Sequence, residues 1–162
     1  MAETVVCGID PGLSGGVAIL GSRGDILEGF RTPLCVDAHS ARGKKIVDSK
    51  VLYARIACFG VSAIVIERVH AMPGQGVTSM FSFGQAFGMA LAVATTLLEH
   101  SGPVQVTPQA WKKHFGLAGS SKGDSIQAAT KLFRSTVFWP HKADNGIAEA
   151  ALLARWWLDQ QS

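Results

Sequence analysis

Gly8-Ile9-Asp10-Pro11-Gly12-Leu13-Ser14-Gly15-Gly16 is the stretch whose reading decides the fold. Just before it lies a short apolar run, residues 4–9, with Val5, Val6 and Ile9. A run of that length, ended by Asp-Pro-Gly, predicts a buried strand closed by a turn. Asp10 therefore sits where a buried strand stops. It reads either as a turn aspartate, since Asp-Pro-Gly is good turn chemistry, or as a carboxylate held out at a strand end. Residues 17–20 predict a second strand, Gly21-Ser22-Arg23-Gly24-Asp25 a turn, and residues 26–31 a third strand. Three strands joined by turns suggest an antiparallel meander.

Beyond the meander the pattern changes period. Asp48 is placed to cap a helix running to about residue 59, with Val51, Leu52, Ile56 and Phe59 along one side and Gly60 as the stop. Residues 62–67, Ser-Ala-Ile-Val-Ile-Glu, predict a central strand. A Gly/Pro loop at 72–76 follows, then a long helix over about 79–99. Its Met80, Phe83, Phe87, Ala90, Leu91, Ala94, Leu97 and Leu98 keep helical spacing. Gly84 and Gly88 lie on that helix, each costing about 1 kcal/mol relative to Ala; close approach of another backbone would offset this. Residues 104–106 predict a fifth strand. Thr107-Pro108 is an N-cap with Pro in the first helical position, Ser120 or Ser121 caps a helix ending near 133, and a last helix covers about 145–158. Three antiparallel strands followed by strands alternating with helices predict an α/β domain with a mixed five-stranded sheet flanked by helices.

Two acids end the two most hydrophobic strands, Asp10 and Glu67. A carboxylate in register with a buried strand is costly unless it is paired or bound to a metal. For Glu67 the alternative is a salt bridge with Arg68 or another base. Asp144 and Glu149 stand near the start of the last helix, among small residues that would let it lie close to the sheet. Asp144 also reads as an N-cap. Residues five apart on a helix point about 140° apart, so Asp144 joins Glu149 only from a cap position. Asp10, Glu67, Asp144 and Glu149 together are the oxygen set a two-Mg²⁺ site needs. Two such ions can activate a water and stabilise the leaving oxygen of a phosphodiester.

The order of these segments resembles a known family. The stretch from Gly8 to Gly16 resembles the opening strand-turn of RuvC-type Holliday-junction resolvases, in the RNase H-like superfamily. Ile66-Glu67 resembles their second acidic strand end, and Phe83-Gly84-Gln85-Ala86-Phe87-Gly88 the Gly-Gln-Ala-x-Gly of the following helix. Thr107-Pro108-Gln109-Ala110-Trp111-Lys112-Lys113 resembles a segment of phage and chloroplast members, and Asp144-x-Gly146-x-Ala148-Glu149-Ala150 closes the pattern. The resemblance spans roughly residues 4–158. The bacterial type usually ends in two aspartates three apart; here the pair is Asp144 and Glu149, five apart, as in the phage and chloroplast branch. The resemblance implies a RuvC-like fold in one nuclease domain over residues 1–162, paired symmetric nicks in four-way DNA junctions, and a homodimer. It also implies two Mg²⁺ ions held by Asp10, Glu67, Asp144 and Glu149, with Mn²⁺ as a substitute and no small-molecule cofactor.

Charge placement points the same way. Fifteen Lys and Arg stand against twelve Asp and Glu, a net charge of +3. Residues 107–142 hold six of the basic residues (Lys112, Lys113, Lys122, Lys131, Arg134, Lys142) against Asp124 alone, and residues 39–50 hold Arg42, Lys44, Lys45 and Lys50 against Asp48. Clusters of this kind neutralise phosphates; single lysines are more often a solvated face. Lys112 or Lys113 and Lys122 match basic residues that the family places near the scissile phosphate, and Lys44, Lys45 and Lys142 are further candidates for DNA contact. Phe81 reads either as core of the long helix or as a group that reaches the junction centre. His114 and His141 read as surface or capping groups ahead of proton transfer or phosphate contact, and Trp156 and Trp157 as packing ahead of stacking on DNA. At 48% apolar and 17% charged the chain is neither a disordered tail nor a coiled coil. The apolar stretch around residues 89–98 is too short and too interrupted to span a bilayer, so no membrane partner is expected. Cys7, Cys35 and Cys58, an odd number with no C-x-x-C, fit a cytoplasm-like reducing compartment, and no signal peptide is apparent. The rival readings are another RNase H-like nuclease acting on RNA or branched DNA, a fragment of an actin-like ATPase, and a non-catalytic junction-binding protein.

Overall fold

A computed structural model describes residues 4–71 and 73–161, with Lys122 described by its backbone alone. Five strands form one sheet: β1 (Val6–Asp10), β2 (Gly16–Leu20), β3 (Ile26–Arg31), and, further along the chain, β6 (Ala63–Glu67) and β7 (Val104–Val106). Their spatial order is β3-β2-β1-β6-β7. The first three pair antiparallel, whereas β6 runs parallel to β1 and β7 parallel to β6. This is the expected mixed sheet. At the β2–β3 turn, Gly24 takes φ +83°, a left-handed conformation that suits glycine.

Alternation along each strand sorts the core into two layers. Cys7, Ile9, Val17, Ile19, Ile64 and Ile66 face one side. They are covered by α1 (Ser49–Ala57) and α2 (Val77–Leu97). Val6, Ala18, Leu20, Ala63 and Val65 face the other side, under α3 (Pro108–His114), α4 (Lys122–Phe133) and α5 (Asn145–Gln160). Burial on the first face pushes the Cys7 thiol pKa far up, so it packs as a small apolar group. The helix starts follow the sequence: Asp48 accepts from the Val51 amide at 3.1 Å, Thr107 accepts from that of Ala110, and Ser121 pairs reciprocally with Asp124.

Two features were not anticipated. A small antiparallel hairpin, β4 (Leu34–Val36) with β5 (Lys45–Val47), lies between β3 and α1. Its strands are three residues each and its connection is polar, so no periodicity advertised it. Helix α2 is also open on one side. Among its described residues only Ala86, Ala90, Val93 and Ala94 are fully buried, while Val77 and Phe81 are 86% and 71% exposed. Phe81 is therefore not core. By length and composition alone α2, with 21 residues, could cross a membrane; here it lies along the sheet.

The tightest packing is that of α5 on β1 and β2. A Cβ built on Gly8 would come within 1.9 Å of the Ala150 carbonyl oxygen, and one on Gly16 within 2.4 Å of the Ile147 nitrogen. Gly15 bridges Gly146 directly. Only glycine permits this approach, because the obstructing atoms are backbone and cannot rotate aside. Gly8→Ala is expected to destabilise the protein by about 3 kcal/mol, a drop in Tm of roughly 6–12 °C for a chain of this size. A calorimetric Tm within a degree or two of the wild type would refute the packing described.

Candidate active site

β1 and β6 are neighbours in register, with Ile9 opposite Ile66, so the next residue on each, Asp10 and Glu67, ends its strand beside the other. The two-residue period puts both carboxylates on the face covered by α5. The close seating of α5 then brings Glu149, 9% exposed, over the same strand ends. Asp10, Glu67 and Glu149 line one cleft of about 580 Å³ with Gly12, Gly15, Phe83, Lys112, Lys142 and Asn145.

Each glutamate is held by one side-chain donor from behind. The indole Nε1–H of Trp111 donates to Glu67 Oε2 at 2.7 Å, and the Ser125 hydroxyl donates to Glu149 Oε1 at 3.0 Å. Burial raises the Glu67 pKa, the Trp111 hydrogen bond opposes this, Glu149 adds to it and Lys112 pulls back; the net direction is upward. Two neighbouring carboxylates in a half-dry cleft repel one another. They do not converge on a point: among the described residues, no three His, Cys, Asp or Glu side chains are grouped closely enough to hold an ion.

The fourth expected acid turns elsewhere. Asp144 lies at the end of a short 3-10 turn, Lys142–Asp144, at the N-cap position of α5, and does not line the cleft. Its carboxylate accepts from Arg31 Nε at 2.7 Å and from the His141 amide at 3.0 Å. Burial opposes its charge, yet the Arg31 bond and the His141 amide hold its pKa below the usual range. The neighbouring residue reaches the cleft instead. Asn145 lines it, and its Oδ1 is buried with no hydrogen-bond partner among the described residues. A partnerless buried carbonyl oxygen is costly and is one more hard donor beside the acids. Trp111, Ser125 and Asn145 escaped sequence reading. The available signals were a Trp beside Lys112, whose N–H needs a partner once buried, and a Ser amid the apolar positions of α4.

The candidate DNA contacts scatter more widely. Lys112 and Lys142 line the cleft. Lys113 and Lys45 are exposed and do not line it, and the Lys122 side chain falls outside the described residues. Lys44 is half-buried on the hairpin side, its Nζ 5.7 Å from the centre of the exposed Phe81 ring. His114 pairs with Asp159 at 2.9 Å, tying α3 to α5, and Arg155 pairs with the other oxygen at 2.7 Å. Trp156 and Trp157 pack against the core, as expected.

Comparison with solved structures finds similar folds. Thermus thermophilus RuvC in complex with a Holliday junction substrate superposes with a TM-score of 0.55 at 17% identity, over 93% of this chain and 90% of that one. The T. thermophilus RuvC structure gives 0.54 at 17% identity over 93% and 91%. The yeast mitochondrial Holliday junction resolvase Ydc2 gives 0.49 at 15% identity over 96% and 79%. No family profile matches the sequence, and no curated protein matches it. The fold is RNase H-like. In strand order and flanking helices it is the form seen in RuvC.

The Asp159 clip makes a pH prediction. Burial opposes the carboxylate, but the bonds from His114 and Arg155 prevail, and its pKa lies below the ordinary value. The associated stability is thus present above about pH 4 and lost as pH falls through the lowered folded-state value. Asp159→Asn should lower stability by about 1 kcal/mol at pH 7, and the gap to wild type should close in urea titrations as the pH is brought below about 4. An equal gap at pH 7 and pH 3 would contradict the assignment.

Proposed function

We propose that this protein is a structure-selective endonuclease that resolves four-way DNA junctions by paired symmetric nicks. The observation that carries the reading is the cleft where Asp10, Glu67 and Glu149 open beside Lys112 and Lys142, at the strand ends of a RuvC-like fold. One solved relative in fold was captured on a Holliday junction, which favours the same substrate class here.

By chemistry the donors suit a hard divalent cation, since three carboxylates and the Asn145 Oδ1 offer only oxygen; they stand spread along the cleft, so an ion would have to draw them together. Asp10, Glu67 and Glu149 would hold Mg²⁺ or Mn²⁺, with Asn145 as the neutral fourth donor. Asp144 would join them only on release from Arg31. Two such ions, when bound, lower the pKa of a water and stabilise the departing 3′ oxygen. The chain's own part is to bind and orient. Lys112 and Lys142 attract the phosphate at the cleft mouth, and the exposed Phe81 with Lys44 offers an apolar and cationic contact at one end of α2. A charge-based phosphate grip makes affinity fall steeply with salt.

The same reading includes a homodimer through the open side of α2. Gly84 and Gly88 are exposed, and among the described residues nothing outside their own helical turns lies within 4 Å of where a Cβ would stand, so no other described element uses their close approach. A second copy there would give a two-fold pair suited to a substrate of near two-fold symmetry.

Two experiments test this. Asp10→Asn should bind four-way junctions as wild type does in a mobility-shift assay while nicking falls by roughly three orders of magnitude, of the size expected when charge stabilisation at the reacting phosphate is lost. Full cleavage by that variant in Mg²⁺ would sink the reading. In sedimentation, wild type should run as a dimer and the double change Gly84→Leu, Gly88→Leu as a folded monomer; a wild-type monomer at tens of micromolar would remove the dimer.

A further inference from the structure

The glutamates of the cleft are gripped from two helices that also carry the basic cluster. Trp111 is 0% exposed and lies on α3, one residue before the cleft cation Lys112. Ser125 is 1% exposed and lies on α4, which packs against α5. Neither lines the cleft. Each donates to a single carboxylate oxygen, Glu67 Oε2 and Glu149 Oε1, and each leaves the second oxygen of its glutamate to other partners. Thr107 caps α3, the Ser121–Asp124 pair caps α4, and the His114–Asp159 pair ties α3 to α5, so both donors sit on anchored elements.

We propose that Trp111 and Ser125 are positioning residues that fix the rotamers of Glu67 and Glu149 by holding one oxygen of each, so that α3 and α4 set the separation of the two carboxylates. Without these donors, two like-charged carboxylates, one buried and one half-buried, rotate apart toward solvent or toward other donors. With them, one oxygen per glutamate stays directed for a cation. Lys112 and Trp111 are adjacent on α3, so a phosphate drawn to Lys112 and the carboxylate held by Trp111 are placed by the same helical turn. This inference rests on the reading of the cleft as a divalent-cation site, and it assigns roles to residues that touch neither cation nor substrate.

Calorimetric titration of Mg²⁺ into the DNA-free protein tests it. Trp111→Phe keeps the ring and removes the N–H; Ser125→Ala removes the hydroxyl. Each should weaken Mg²⁺ binding about 10-fold or more, the usual effect of removing a hydrogen bond behind a metal ligand, and Ser125→Thr should restore it. Should Trp111→Phe fail to fold, the indole Nε1–H resonance of Trp111 in the unmutated protein gives a second reading. It should move on adding Mg²⁺, whereas the Trp139 indole, bonded to Thr130, should not. Wild-type affinity in both folded variants overturns the positioning role alone. So does a Trp111 resonance indifferent to Mg²⁺ in a protein that binds it. A wild-type protein that binds no Mg²⁺ at millimolar concentration overturns both this role and the cation reading beneath it.

Discussion

The backbone-to-backbone contact of α5 with β1 and β2 is the constraint on which the rest of the structure depends. Gly8 and Gly16 remove the side chains that would hold a helix at the ordinary distance, and Gly15 meets Gly146 where α5 begins. The following residues, Ala148, Ala150, Ala151 and Ala154, are wholly buried and small enough to keep the helix flat on the sheet. Protein interiors tolerate little slack, so this seating fixes both the height and the rotation of α5. Glu149 is thereby carried to the ends of β1 and β6, where the strand period has already turned Asp10 and Glu67 to the same side. The cleft is a product of that seating: a helix lifted by one Cβ would take Glu149 out of it.

Charge then has to be managed. Burial and the neighbouring Glu149 act against the charge of Glu67, and the Trp111 bond and Lys112 act for it; Glu149 is held by the Ser125 hydroxyl. Asp144 faces the same difficulty and resolves it differently, through Arg31 at the end of β3. Two acids near one helix start thus have different environments. One is neutralised inside the protein; the other is left facing a cleft whose mouth carries lysines. The proposed nuclease reading draws on this asymmetry: a cleft lined by carboxylates with lysines around it suits a cation and a phosphate together.

Much of the fold was legible in the sequence because the signals were strong and local. The Asp10-Pro11-Gly12 stop, the apolar run before Glu67 and the caps at Asp48, Thr107 and Ser121 each involve residues adjacent in the chain, and each lies where expected. The β4–β5 hairpin was not legible, since three-residue strands joined by a polar loop carry too little period. Within the site, Asp10, Glu67 and Glu149 could be anticipated from strand ends and helix phase. The partner of Asp144 could not: Arg31 lies 113 positions away, and only the packed sheet brings it near. The same holds for Trp111 and Glu67, 44 positions apart. Cap-like residues also read ambiguously: the short turn before α5 leaves Asp144 out of the cleft and puts Asn145 into its lining.

The most direct test of the central claim is a map of cleavage on strand-labelled four-way junctions, mobile and fixed, in Mg²⁺ and in EDTA. Matched linear duplex, single strand, RNA hairpin and RNA–DNA hybrid are assayed alongside. The account predicts ligatable nicks at symmetric positions in two opposing strands of the junction, absent in EDTA and absent from the linear substrates. Cleavage of hybrid or hairpin RNA with the junction left intact would contradict it, as would tight junction binding with no nick in any strand.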